Sequence, residues 1–280
     1  MYKFLLFLLL SATLLGLSGE AAINIILDYG STTPEDIETY SDEFAEAEAF
    51  WESRLTGYRD SGFGAPAQVV IEVNLSVLDG VGGILGQAGP TYVNFLGSFF
   101  EATRGVMTFD TSDLVSPPQN GTFGNVIRHE MGHVLGHGSL WGINGVYQSG
   151  TGQYTGVAGV AAFREEFNQP DATYVPVELD GGESTANGHW NTGIDLGSRE
   201  EPNSRDDPGD TIVYTSVNNG EVLDNELMTG FLTGSVWLSE TTLQSFYDIG
   251  YTVIPEPAEF ALWMALVGFF YSSQRKRLSS

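Results

Sequence analysis

Residues 122–135 read TFGNVIRHEMGHVL, and the reading of the whole chain turns on them. Val126, Ile127, Met131, Val134 and Leu135 recur at helical spacing, and Gly136 follows as a terminating residue. A helix here places His129 and His133 four residues apart, so both imidazoles project from one face, one turn above the other. Tetrahedral zinc takes nitrogen ligands at ~2.0–2.1 Å on converging vectors, which this spacing supplies. Glu130 follows the first ligand and reaches beside the metal rather than onto it, the place of a general base that takes a proton from an activated water. In a chain of this composition His-Glu-x-x-His arises by chance fewer than ~0.01 times.

The third ligand is less constrained. The chain has four histidines and no cysteine, so thiolate ligands, thiol nucleophiles and disulfides are excluded. Position 139, where a compact extended motif places another His, is Ser139. Three candidates stand: His137, which must bend back past Gly136; Glu165 or Glu166 in a short expected helix over 161–167; and His189, 56 residues beyond His133.

Outward from the motif, the pattern is α+β. Residues 22–27 (AINIIL) read as a buried first strand ended by Asp28-Tyr29-Gly30. Thr33-Pro34-Glu35-Asp36 is a helix start, and Ile37, Tyr40, Phe44, Ala47, Trp51 and Leu55 form one apolar face. Residues 68–75 alternate as a second strand, with Val69, Ile71, Val73 and Leu75 on one face. Residues 79–90 (DGVGGILGQAGP) read as a glycine-rich loop, 105–110 (GVMTFD) as a third strand, and Pro117-Pro118-Gln119-Asn120-Gly121 as a turn.

Charge narrows the partners. Against 36 acids stand 11 bases, a formal charge of −25, which disfavours nucleic acid. Glu178, Asp180 and the acids at 200–210 are candidate calcium ligands, but no Asp-x-Asp-x-Asp-Gly loop holds them, and calcium has no motif to support it.

The two ends read as addresses. Lys3, an apolar run over 4–17 and small residues at Ser18, Gly19, Ala21 and Ala22 form a signal peptide over 1–21. At the other end, Pro255-Glu256-Pro257, an apolar stretch over 260–271 and Arg275-Lys276-Arg277 resemble the PEP-CTERM sorting signal of bacteria with an exosortase. That resemblance implies export to the cell surface or medium, exosortase-type machinery as a partner, and only transient membrane contact through the tail. The working domain is then 22–253, with the sorting tail at 254–280.

Three segments together carry a second resemblance: HEMGHVLGHGSLW at 129–141, GGESTANGHW at 181–190 and Glu226-Leu227-Met228-Thr229-Gly230, with a closing helix after Leu238. They are similar to leishmanolysin-type metzincins over about residues 90–253. Two departures stand beside it: the cysteines typical of eukaryotic members are missing, and a long acidic stretch separates His189 from Met228. The resemblance implies His129, His133 and His189 as ligands of one zinc ion, Glu130 as base and Met228 as the turn residue beneath the metal. It implies a metzincin-like fold, a twisted mixed sheet with two helices above an irregular C-terminal half and a cleft between. Peptide substrate would lie along an edge strand, taken as residues 106–110. The expected activity is secreted zinc endopeptidase, hydrolysing protein or peptide through a metal-activated water. The alternative is a non-catalytic, zinc-stapled cell-surface or matrix protein, in which an acid beside an open metal position has no use.

Overall fold

Strand β3 (Gln68–Ser76) carries the alternation that begins the core: Val69, Ile71 and Val73 are fully buried, while their neighbours are exposed or half-buried. In the computed structural model, which describes residues 23–30, 38–59, 67–114, 122–182, 185–191, 213–230 and 236–254, β3 pairs on both sides. The expected signal peptide, the helix start at Thr33-Pro34, the turn at Pro117, the acids at 200–210 and the sorting tail from Pro255 onward lie outside the described residues.

The sheet has the order β1-β3-β5-β4. Strand β1 (Asn24–Asp28) runs parallel to β3, and β5 (Phe99–Asp110) runs parallel to β3 on its other side. Strand β4 (Gly86–Leu96) pairs antiparallel with β5 through the two-residue turn at Gly97 and Ser98, with Gly97 at φ +67°. The sheet is therefore mixed, as expected, but three readings are corrected. The first strand is an edge rather than a buried strand: Ile25 is buried while Ile26 is 38% exposed. The second half of the expected loop over 79–90 is strand. The third strand is twelve residues long and interior, so residues 106–110 are no edge at all. The edge on that side of the sheet is β4. Gly86, Gly89 and Pro90 hide it from propensity, but an edge strand tolerates them because only one side needs a ladder. The register shifts around Pro90 and Tyr92 mark where the strand bends to accommodate the missing donor.

One face of the sheet is covered by two helices. Helix α1 (Ser41–Glu52) buries Phe44, Ala47 and Trp51; Leu55, expected on the same helix, begins β2 (Leu55–Tyr58). A one-turn helix α2 (Thr111–Leu114) follows β5, and α3 (Thr122–Leu135) packs on α1, β4 and β5. Phe44, Phe109 and Phe123 meet edge-to-face with centroids 5.3–6.2 Å apart, and Trp51 Nε1 donates to Arg128 O at 2.9 Å. This aromatic seam fixes the height of α3 above the sheet, and with it His129 and His133.

Beyond α3 the chain is sparser in regular structure. A short ladder joins β6 (Gln153–Tyr154) to β7 (Val175–Pro176), and a 3-10 turn spans Leu223–Asn225. Helices α4 (Val157–Glu166) and α5 (Glu240–Asp248) form an antiparallel pair with reciprocal caps. Glu166, the last residue of α4, accepts from the N–H groups of Glu240 and Thr241 at 3.1 and 3.0 Å; Asp248, the last of α5, accepts from those of Ala158 and Gly159 at 2.9 and 2.8 Å. Strand β8 (Tyr251–Val253) then returns to pair with β2. Among the described residues no helix is long and apolar enough to cross a membrane.

Candidate metal centre

Helix α3 brings His129 Nε2 and His133 Nε2 to 3.0 Å, and His189 Nε2 stands 3.1 and 2.9 Å from them. The other nitrogen of each ring meets a backbone carbonyl: His129 Nδ1 that of Leu227 at 2.6 Å, His133 Nδ1 that of His137 at 3.0 Å, and His189 Nδ1 that of Thr185 at 2.7 Å. A carbonyl oxygen only accepts, so each Nδ1 carries the proton and each Nε2 presents a bare lone pair to the common centre. Burial keeps the rings neutral. It lowers His129 to about 3, with His133 adding repulsion, and it lowers His133 and His189 as well.

The three buried histidines are close enough to bind a metal ion, and they are the sole such group among the described residues. Two nitrogens on one tetrahedral ion at ~2.0–2.1 Å stand ~3.3 Å apart, close to the edges observed, so the donor set fits the ion. Glu130 lies outside the triangle but lines the same cleft. It is buried, and burial raises its carboxyl to about 8. Room for it comes from Gly86 on β4, where an added Cβ would stand 2.9 Å from Glu130 Oε1.

The cleft has a volume of about 710 Å³. Its upper rim is residues 82–88, its floor α3, and its lower rim Thr185–His189 with Thr229 and Gly230. Asp110 Oδ2 ties down the upper loop by accepting from the N–H groups of Leu78, Asp79 and Gly80. Leu85 O accepts from Asp110 N–H at 3.0 Å, so alternation turns the peptide groups of Gly86 and Ala88 away from β5 and outward along the free edge.

Met228 packs against α3 at Gly132. Gly132 leaves space for it: an added Cβ there would stand 2.8 Å from Met228 Sδ. The preceding carbonyl, Leu227 O, orients His129, and Met228 O accepts from Trp190 N–H at 3.1 Å, beside His189.

The other ligand candidates are engaged elsewhere. His137 is buried among Trp141, Trp190 and Phe246, and contributes its carbonyl rather than its ring. Glu166 caps α5 and Glu165 is exposed, so neither reaches the centre. Glu178 Oε1 accepts from the N–H groups of Leu179 and Asp180.

Several residues escaped the sequence reading. Gly138, at φ +69°, lies against the backbone of Gly188 and closes the His189 loop onto the end of α3. Asn187, at φ +68°, accepts from Tyr147 O–H and Gly150 N–H, both at 2.7 Å, and pins that loop from the far side. The Asn187-Gly188 dipeptide is a turn signal that points to such a bend. For β4, the signal was a pair of apolar runs flanking Gly97-Ser98. No protein-family model matches the chain, and no curated protein matches it. Fold and site together define an α+β protein with three buried histidines, close enough to bind a metal ion, that line a cleft.

Proposed function

We propose that the chain is an exported zinc endopeptidase of the metzincin type, similar to leishmanolysins. The observation that carries this reading is Glu130: a buried carboxyl lining the cleft beside three converging imidazole nitrogens, with no fourth His, Asp or Glu closing the group among the described residues. A structural staple closes all four positions with protein ligands; a catalytic zinc keeps one for water or substrate. The mixed sheet with α1 and α3 on one face, the lower rim bearing His189 and the turn at Met228 support the metzincin architecture.

His129, His133 and His189 would hold zinc through Nε2, and when bound it supplies Lewis acidity to the scissile carbonyl and to a nucleophilic water. Glu130 takes the proton from that water and hands it to the departing amine, and its burial raises its basicity for the task. The outward peptide groups of Gly86 and Ala88 offer a ladder to an extended peptide, which sets the scissile bond above α3. Export would follow from the two ends of the sequence.

The test is cleavage of an unfolded protein by the zinc-loaded chain, beside Glu130→Ala. We expect the variant to keep one zinc per chain and to lose at least ~10²-fold in kcat/KM. A folded, zinc-loaded parent that leaves every substrate intact overturns the peptidase reading in favour of a metal staple.

A further inference from the structure

Glu226 is fully buried between the 3-10 turn, the turn bearing Met228 and the start of α5. It is neither a metal ligand nor part of the cleft wall, so the chemistry above makes no use of it. Its Oε2 accepts from Met228 N–H at 2.6 Å. Its Oε1 accepts from Ser239 N–H and Ser239 O–H, both at 3.0 Å, and from Thr242 O–H at 2.6 Å.

Capping α5 does not account for this carboxylate. Ser239 Oγ already accepts from Thr242 N–H at 2.9 Å, and Glu166 takes the N–H groups of Glu240 and Thr241. Burying a carboxylate costs several kcal/mol, which an ordinary serine cap avoids.

What Glu226 does reach is two of the metal ligands. The N–H of Met228 and the C=O of Leu227 belong to one peptide group. Glu226 Oε2 holds the N–H end of that group, and the C=O end accepts from His129 Nδ1–H at 2.6 Å. A carboxylate on the N–H side polarises the peptide and makes its oxygen a stronger acceptor. On the other arm, Thr242 Oγ1 donates to Glu226 and accepts from Trp190 Nε1–H at 2.7 Å; Trp190 follows His189 in the chain.

We infer that Glu226 is the positioning residue of the metal centre, its charge relayed to His129 across the Leu227–Met228 peptide group and to the His189 segment through Thr242 and Trp190. This rests on the three-histidine centre as a metal site but not on peptidase activity. Metal-ligating histidines commonly donate directly to a carboxylate, which orients the ring and raises its basicity; here one peptide unit stands between.

The test uses the full chain at about pH 8, where the Glu226 carboxyl is ionised, and reads metal rather than turnover: zinc affinity by competition with a chromophoric chelator, and the visible spectrum of the cobalt(II)-loaded chain. We expect Glu226→Gln to weaken zinc binding ~10–100-fold and to shift the cobalt bands, since one amide oxygen cannot serve both arms. Glu166→Gln is the matched control, a buried carboxylate that likewise accepts hydrogen bonds from the start of α5. It should lose stability while keeping the parental affinity and spectrum. Should Glu226→Gln not fold, Thr242→Val is read instead, with a several-fold loss of affinity expected. A zinc-binding parent whose Glu226→Gln form, or in its place Thr242→Val, keeps the parental affinity and spectrum overturns this inference alone. A parent that binds no zinc overturns it together with the reading of the site.

Discussion

Three bare imidazole nitrogens are brought together by glycines as much as by the histidines themselves. At Gly138 an added Cβ would meet Gly188 O and stand 2.6 Å from Gly188 Cα, backbone that has no rotamer to turn aside. Gly138→Ala should therefore cost about 1–3 kcal/mol of stability and also push the His189 segment outward, weakening zinc binding. Gly145→Ala separates the two effects: φ is similar, +75°, but nothing lies within 4 Å. It should show the backbone cost alone, with unchanged affinity in the same chelator competition. Equal affinities for the two variants would remove the role assigned to the Gly138–Gly188 contact.

Between elements, the antiparallel pair α4 and α5 shows how an acidic chain puts its charge to structural use. Each helix ends on a carboxylate that satisfies the first N–H groups of the other, so the pair locks at both ends. Tyr154 O–H adds a bond to Asp248 Oδ2 at 2.9 Å. Asp248→Asn and Glu166→Gln should each lower the unfolding free energy by about 1–2 kcal/mol in urea titrations, while Glu165→Gln, on the exposed face next door, should change it by less than ~0.5 kcal/mol. Both caps join residues far apart in the chain. A short helix was expected over 161–167 and spans Val157–Glu166, and Glu166 was a ligand candidate on its chemistry alone. That its carboxylate is instead turned to α5 depends on a partner more than 70 residues away.

For the whole molecule, Glu226, where the lower segments and α5 converge, is one buried group that couples pH to stability. Burial raises its carboxyl from 4.5 to about 7, against the four hydrogen bonds that pull it down. The folded chain thus holds this proton more tightly than the unfolded one. The stability it contributes is fully present below about pH 4.5 and is lost as pH rises to about 7, a change of about 3 kcal/mol. Measured by urea unfolding in chelator, the advantage of the parent over Glu226→Gln should shrink by that amount across the window and stay flat above it. A difference independent of pH would mean that the carboxyl is ionised throughout.

The sequence by itself determined the placement of residues along α3: a four-residue spacing on a helix is a local fact, and it set His129 and His133 on one face with Glu130 next to the first. It also determined the α+β class, because the alternation at 68–75 and the helical period at 122–135 follow from which faces are buried. The tertiary structure alone decided which strand is the edge. Residues 106–110 are rich in strand formers while Gly86, Gly89 and Pro90 are not, so local propensity favours the interior segment over the edge, and sheet order depends on pairings between segments that propensity does not encode. It alone brought His189 to the centre over the acids at 165 and 166, and it alone joined Glu226 to His129 through a peptide group. Those choices rest on contacts across 60 to 98 residues, which no periodicity encodes.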